Sequence, residues 1–145
     1  MSEAAIDPAA QASGLDDVLG FRHGQIARDH AHASVEVSDR LKQPMGLVHG
    51  GVYAALAESV ASRATALSVA SDGLVAVGLS NQTSFVRPVV DGSIHAEGRC
   101  RHHGRTTWIW EIEMVDDRRR LCALSRVTVA VRPGPALDEV SPRSG

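Results

Sequence analysis

The clearest feature of the sequence is a long helical segment near its middle. Residues 52–70 are mostly small or apolar, contain no Gly or Pro, and end at Ser71-Asp72-Gly73. This pattern predicts one long helix that ends near residue 70. Because small and apolar side chains occupy nearly every face, we expect the helix to be buried on all sides.

The rest of the folded unit has the patterning of strands. Before the helix, residues 32–38 alternate apolar and polar side chains, whereas 41–48 contain Pro44 and Gly46 and are predicted to be a loop. Residues 16–21 fit either a short helix or a strand. After the helix, turn residues separate five predicted strands at 74–80, 83–90, 93–101, 106–115 and 121–131. The order predicts an α+β fold in which a curved antiparallel sheet wraps around one central helix.

Length and charge limit the classes of function. The 145 residues fit one domain, predicted to span 16–133, between a flexible N-terminus at 1–15 and a flexible tail at 134–145. Fifteen basic and 17 acidic side chains give a formal charge of −2, without a run of five like charges. We therefore expect no nucleic-acid partner.

Location and assembly are also predicted from composition. Glu58 and Arg63 interrupt the apolar segment, so no membrane span is expected. The N-terminus carries acids and no apolar signal region, and the chain has two cysteines, so a cytoplasmic protein with reduced thiols is predicted. Only five aromatic residues are present, so the core rests on small side chains, and we expect an oligomer that buries more surface.

One motif carries candidate chemistry, and it lies at the start of the predicted helix. Gly50 and Gly51 follow His49 and allow a ligand to approach the free N–H groups of the first helical turn. Those amides and the helix dipole suit a carbonyl oxygen that becomes negative. Further along, Glu58 and Ser62 share one helix face. A carboxylate and a hydroxyl near such amides are typical of acyl-group hydrolysis.

Simpler interpretations of the same residues exist. A Gly-Gly pair before a helix is usually a turn, and an isolated helical Glu is usually solvated. Glu58, however, is embedded in Ala-Leu-Ala-Glu-Ser-Val-Ala, which lacks the further charges of a solvated face. For Ser62, a hydrogen bond to its own helix backbone remains an equal alternative.

At this point the chain resembles a known family. Residues 43–62 and the segment Ala76-Val-Gly-Leu-Ser-Asn-Gln-Thr-Ser-Phe-Val-Arg-Pro88 are similar to the hotdog-fold acyl-CoA thioesterases, and the likeness extends over about residues 30–133. The nearest similarity is to the Arthrobacter-type 4-hydroxybenzoyl-CoA thioesterases. The resemblance implies a five- or six-stranded antiparallel sheet around one long helix.

The resemblance also implies roles for individual residues. Glu58 would attack the thioester carbonyl or activate water, and the N–H of Gly50 would polarise that carbonyl. Gln43 would contact the thioester from its loop, and Ser62 would orient the hydrolytic water. The implied assembly is a dimer of dimers in which Gln43 and Gly50 of one copy face Glu58 and Ser62 of its partner.

Coenzyme A is implied as part of the substrate, and no separate cofactor is expected. Arg87, Arg105 and Thr106 would contact its nucleotide. His49 is expected to anchor the loop or to support the substrate site. The sequence of Cys100, His102 and His103 does not favour a metal site, because residues so close on one strand alternate faces.

The function predicted from these residues is hydrolysis of an aromatic, 4-hydroxybenzoyl-CoA-like thioester to a free acid and coenzyme A. Two alternatives on the same fold stay open. One is a dehydratase or hydratase, although His49 and Glu58 lack the spacing expected for its His and acid pair. The other is a non-catalytic acyl-CoA-binding module, for which a buried acid would have little use.

Overall fold

A six-stranded antiparallel sheet and one long helix dominate the structure, a computed structural model that describes residues 14–135. The strands run in the order β1-β2-β4-β5-β6-β3 across the sheet. Their bounds are β1 Arg22–Ile26, β2 His30–Glu36, β3 Leu74–Phe85, β4 Ser93–His103, β5 Thr107–Val115 and β6 Leu121–Pro133. The helices are α1 (Leu15–Leu19) and α2 (Gly50–Val69). The predicted α+β architecture is confirmed.

Helix α2 packs one face onto the inner side of the sheet. Its buried residues recur at helical spacing and are Val52, Tyr53, Leu56, Ala57, Val60, Ala61, Ala64, Thr65 and Val69. Glu58 is exposed and Ser62 is half-buried. The expectation of burial on all sides is therefore wrong for a single chain, because the sheet covers only one side of the helix.

A tryptophan fixes the depth of this packing. Trp110 on β5 is fully buried and donates its indole N–H to Oγ1 of Thr65 on α2 at 3.0 Å. The Thr65 hydroxyl donates in turn to the carbonyl oxygen of Ala61 at 2.8 Å. Both polar groups are thus satisfied inside the core, and they hold the C-terminal part of α2 against the centre of the sheet.

The region predicted as strands 74–80 and 83–90 is instead one strand, β3, which ends at Phe85. It pairs only with β6, so its other side is a free edge among the described residues. The pairing shifts between Gly78 and Ser80, where Leu79 forms an extra residue in the strand. Such a bulge bends a strand without ending it, which explains why the pattern broke in the sequence.

The N-terminal part of the fold was only partly predicted. Residues 16–21, left open between helix and strand, mostly belong to α1, which ends in a left-handed Gly20. The strand predicted at 32–38 lies at 30–36. Strand β1 was not predicted. It is a short edge strand that contains Gly24, and its side chains lack clear alternation. Residues 1–13 and 136–145 lie outside the described residues, including most of the predicted flexible termini.

Candidate active site

The N-terminus of α2 presents an open backbone amide. His49 caps the helix, because its Nδ1 accepts a hydrogen bond from the N–H of Gly51 at 2.8 Å. The carbonyl oxygen of His49 accepts from the N–H of Val52 at 3.0 Å. Gly50 is the first residue of the helix, and its N–H has no acceptor within residues 14–135. This amide therefore remains free for a ligand.

A tight loop brings Gln43 close to this amide. The N–H of Gln43 donates to the carbonyl oxygen of Leu47 at 2.8 Å, and its own carbonyl accepts from Gly46 at 2.9 Å. Gly46 has a φ of 85°, a left-handed conformation that favours glycine. The side-chain oxygen of Gln43 accepts a hydrogen bond from the N–H of Met45. The predicted loop is confirmed, and the contact with Met45 orients the side chain of Gln43 within it.

Gln43 and Gly50 line a cavity of about 430 Å³. This size lies within the range of small-molecule sites. The lining is mostly apolar and comprises Gln43, Leu47, Val48, Gly50, Tyr53, Phe85, Val86, Arg87 and Pro88. The ring of Phe85 lies so close to Gly50 that a Cβ at this position would be 2.9 Å from its Cζ. The absence of a side chain at residue 50 thus keeps its amide accessible beside the ring.

Tyr53 contributes a buried phenol to this region. The residue is 3% exposed, and its hydroxyl has no hydrogen-bond partner within the described part of the chain. Burial, and then the neighbouring thiol of Cys122, raise the pKa of Tyr53 to about 12. The phenol therefore stays neutral near pH 7.

Glu58 does not lie in this cavity. It is eight residues beyond Gly50 on the same helix, which corresponds to about 12 Å along the axis. Its side chain lies over Gly78 of β3, with Cδ 3.3 Å from the position that a Cβ on Gly78 would occupy. Ser62 follows one turn further along α2. One chain therefore brings together Gln43 and Gly50, and separately Glu58 and Ser62.

The residues predicted to bind the nucleotide lie at opposite ends of the sheet. The N–H of Arg87 donates to the carbonyl oxygen of Cys122 at 3.1 Å, near the start of β6. The carbonyl oxygen of Thr106 accepts from the N–H of Val131 at 2.9 Å, near the end of β6. Nine residues of strand separate these anchor points, or about 30 Å. Arg87 and the exposed Arg105-Thr106 pair therefore do not meet within one chain.

Cys100 and His102 lie near the end of β4. Burial is the main cause that raises the pKa of the Cys100 thiol, which hydrogen-bonds to the carbonyl oxygen of His102. No group of three or more His, Cys, Asp or Glu side chains within residues 14–135 is arranged to hold a metal ion. No helix in this part of the chain is long and apolar enough to cross a membrane.

Sequence reasoning missed three residues of this region. Tyr53 and Phe85 line the cavity, but their apolar character gave no reason to separate them from core residues. Gly78 lies beneath Glu58, and its signal was available, because an isolated glycine inside a strand often marks a bulge or a close approach.

Comparison with known proteins shows that the chain is similar to thioesterases. Residues 45–123 match the model of the thioesterase superfamily, which covers the helix start, Glu58 and Gly78. The 1,4-dihydroxy-2-naphthoyl-CoA hydrolase of Escherichia coli is 36% identical over 126 residues, or 85% of this chain and 92% of that protein. The proofreading thioesterase EntH of Cronobacter turicensis is 36% identical over 123 residues, or 85% of this chain and 89% of that protein.

Solved structures show the same similarity in three dimensions. A mutant thioesterase from Pseudomonas aeruginosa superimposes with a TM-score of 0.82 at 35% identity, covering 86% of this chain and 90% of that chain. A thioesterase from Haemophilus influenzae gives a TM-score of 0.81 at 29% identity, covering 94% and 91%. The chain belongs to the thioesterase superfamily and has the hotdog fold. The prediction that it is an enzyme of the thioesterase class is confirmed.

Proposed function

We propose that this thioesterase hydrolyses an aromatic acyl-CoA to the free acid and coenzyme A, at a site shared between two copies of the chain. One observation carries the proposal. The free amide of Gly50 opens beside an apolar cavity, whereas the carboxylate of Glu58 lies exposed about 12 Å further along the same helix. A second copy running in the opposite direction would bring its Glu58 to this amide.

The two groups have complementary tasks in this reaction. The N–H of Gly50 donates a hydrogen bond to the thioester oxygen and stabilises the negative charge that develops there. Glu58 from the partner either attacks the carbonyl carbon, expels the coenzyme A thiolate and forms a mixed anhydride that water then hydrolyses, or removes a proton from the water that attacks this carbon and displaces the thiolate. Gln43 contacts the thioester from its loop, and Ser62 of the partner orients the water. Because a thiolate leaves readily, no metal or cofactor is required in addition.

The free edge of the sheet supports the proposed pairing. Strand β3 has no neighbour on one side within residues 14–135. Its outward side chains Val75, Val77 and Leu79 are 38%, 54% and 58% exposed. An apolar strand with unpaired backbone groups is a template for another strand, and a twofold axis here would place the two α2 helices antiparallel. Two such dimers would form the proposed dimer of dimers.

An assembly of several copies could also bring together the residues predicted to bind the nucleotide, which lie far apart within one chain. Arg87 lies at the mouth of the cavity, while Arg105 and Thr106 lie about 30 Å away. We therefore assign Arg87 to the phosphates of a coenzyme A bound at its own cavity, and Arg105 and Thr106 to one bound at a neighbouring copy's cavity. In this arrangement His49 supports the site indirectly by capping α2.

The proposed acyl group follows from the cavity and from a relative. A lining of Leu47, Val48, Tyr53 and Phe85 favours a flat apolar group over a charged one. A protein 36% identical to this chain is named as a hydrolase of 1,4-dihydroxy-2-naphthoyl-CoA, an aromatic thioester. A 4-hydroxybenzoyl-like ring is therefore the first substrate to test.

The experiment is a substrate panel with the purified chain. Thiol release from benzoyl-, 4-hydroxybenzoyl-, 1,4-dihydroxy-2-naphthoyl-, phenylacetyl- and octanoyl-CoA is followed with a thiol reagent. We expect the aromatic acyl-CoAs to be hydrolysed with the highest kcat/KM. Glu58→Gln should lower kcat by at least about 10³-fold and leave the melting temperature unchanged, since residue 58 is exposed. The exposed Glu36→Gln is the control.

Three outcomes would contradict the proposal. Preference for octanoyl-CoA would refute the aromatic specificity. A Glu58→Gln variant with near-parental turnover would refute the role of the carboxylate. Release of no thiol from any substrate would favour the acyl-CoA-binding or hydratase alternatives.

Mixing two variants, each of which lacks one of these groups and is expected to be inactive by itself, tests the shared site. Gln43→Ala and Glu58→Gln are unfolded together and refolded, so that mixed dimers form. Each mixed dimer contains one site with both Gln43 and Glu58 intact and one site with neither. With random pairing, activity should recover to about a quarter of the parental value. A mixture no more active than the average of its components would exclude a site formed by two chains.

A further inference from the structure

We propose that Gly78 is a positioning residue for the catalytic carboxylate: the missing side chain at this point of β3 forms the seat in which the end of Glu58 lies. The inference rests on the proposed function of Glu58. It adds a residue that touches neither the substrate nor the water and acts only through the glutamate.

The first observation is steric. A Cβ built on Gly78 would lie 3.3 Å from Cδ and 3.8 Å from Cγ of Glu58, and closer still to Oε1. Oε1 would then be well inside van der Waals contact, so the carboxylate could not stay where it is. Any residue other than glycine at this position would therefore move the reacting group.

The second observation concerns the backbone. Gly78 is not among the glycines with a positive φ, which are Gly20, Gly46, Gly73 and Gly92. Its conformation is thus open to any L-residue. Glycine inside a strand is otherwise unfavourable, because it loses more chain entropy on folding and packs no side chain. The three atoms nearest to a Cβ at this position all belong to Glu58, which is therefore the side chain that a larger residue would displace.

The third observation is that Asn81 and Thr83, further along β3, hold the helix at a fixed distance above Gly78. Asn81 donates from Nδ2 to the carbonyl oxygen of Ala54 at 2.9 Å. In an α-helix this carbonyl is also the acceptor for the N–H of Glu58, four residues later. Thr83 in turn donates to Oδ1 of Asn81 at 2.7 Å and orients that amide. The backbone of Glu58 is therefore tied to β3 three residues beyond the seat.

The side-chain carboxylate of Glu58, unlike its backbone, is not held by a hydrogen bond from the described residues. Within residues 14–135 no hydrogen bond or ion pair reaches the Glu58 carboxylate. Its location is set by packing against Gly78 and by the anchored helix, so its oxygens keep their lone pairs for the reaction. Because displacement of a reacting group by about 1 Å costs up to about 10²-fold in rate, an added methyl group should be felt mainly in kcat.

Gly78→Ala tests the inference in the purified full-length chain. With 4-hydroxybenzoyl-CoA, or whichever panel member is hydrolysed best, we expect kcat to fall about 10- to 100-fold while KM changes less than about twofold. The melting temperature should stay the same or rise, because alanine replaces glycine in a strand. A structural role for Gly78 would instead lower the melting temperature and leave the kcat of the folded fraction unchanged.

Gly24→Ala is the matched control. Gly24 also lies inside a strand without a positive φ, and a Cβ there would lie 2.9 Å from Nδ1 of His32, another side-chain end. It belongs to β1, at the opposite edge of the sheet from β3. We expect this variant to keep the parental kcat. An equal loss of kcat in both variants would overturn the proposal.

A double-mutant cycle with Glu58→Asp provides the decisive comparison and covers the case in which Gly78→Ala alone folds poorly. The aspartate is one methylene shorter and stops before the added methyl group. When Glu58→Asp is already present, Gly78→Ala should therefore reduce kcat less than about twofold further. If Gly78→Ala lowered kcat equally with glutamate and with aspartate at position 58, the inference about Gly78 would be wrong. A Glu58→Gln enzyme that stayed active would instead contradict the proposed function itself.

Discussion

The N–H of Gly51 donates to Nδ1 of His49 at 2.8 Å, so the histidine caps helix α2 and leaves the preceding amide, that of Gly50, as the open donor. From the sequence alone, His49 is expected either to anchor the loop or to support the substrate site. The hydrogen bond shows the anchoring contact directly. It also links the stability of the first helical turn to the orientation of the amide proposed to bind the thioester oxygen.

Removal of this cap should affect both properties. His49→Ala leaves the N–H of Gly51 without its acceptor and should lower the free energy of unfolding by about 0.5–2 kcal/mol. We also expect kcat to fall, because the first turn of α2 loses its fixed geometry. Urea denaturation and steady-state kinetics measure the two effects.

The rescuing variant is His49→Asn, since asparagine is a favoured cap residue. It should restore most of the stability and most of kcat. If His49→Ala raised only KM and left stability unchanged, the side chain would contact substrate rather than cap the helix.

The buried pair between Trp110 and Thr65 should be important for stability. Thr65→Val keeps the shape of the side chain but leaves the Trp110 N–H without its acceptor, so we expect a loss of about 1–3 kcal/mol. Urea unfolding followed by tryptophan fluorescence measures this loss. Ser68→Ala, which removes a hydroxyl bonded only to its own helix at Ala64, should change stability by less than about 0.5 kcal/mol. Equal effects of the two substitutions would contradict the role of the pair.

Tyr53 provides a prediction at alkaline pH. Its folded pKa of about 12 lies above the ordinary value of 10.0, so the unfolded chain releases the phenolic proton first as pH rises. The parental protein should therefore lose stability between pH 10 and 12, whereas Tyr53→Phe should not show this contribution. Near neutral pH the variant should be equally or more stable, because it removes a buried hydroxyl that has no partner within residues 14–135. Thermal melts across this pH range test both statements.

Asp116 provides the corresponding prediction at acid pH. Its carboxylate accepts from the N–H groups of Arg120 at 3.0 Å and Arg118 at 2.9 Å, and from Nε of Arg120 at 2.8 Å. The hydrogen bond from the backbone of Arg120 is the main cause that holds the pKa of Asp116 below its ordinary 3.8. Asp116→Asn should thus be less stable than the parent at pH 7, and the difference should vanish as pH falls below 3.8. Asp91→Asn, on the exposed surface, is the control.

Much of the fold was predictable because its strongest elements have strong local signals. The alanine-rich segment of α2 and the alternating strands β4, β5 and β6 are encoded by their own side chains. Strand β1 and the continuity of β3 were not predictable in this way. Both lie at sheet edges, and a bulge at Leu79 interrupts the alternation of β3. Their conformation depends on pairing with distant strands, which local patterns do not record.

The same distinction between local signals and distant contacts applies to the candidate site. Gly50 and Glu58 were identified because a glycine pair at a helix start and an isolated acid in an apolar helix stand out in a sequence. That Gly78 lies under Glu58, and Phe85 beside Gly50, depends on how α2 crosses β3. Neither contact has a local signal strong enough to predict the partner.

Strand β3 carries both the free edge of the sheet and the surface beneath Glu58. A molecule that binds along this edge would therefore act on Glu58 through the short part of β3 that lies beneath it. A small extended peptide that paired with β3 would compete with the proposed pairing of two copies, and it would bind to the strand that lies beneath Glu58. Inhibitors that act on the proposed pairing thus need not resemble a thioester, and because they would compete with a second copy of the chain, their potency should fall as the enzyme concentration rises.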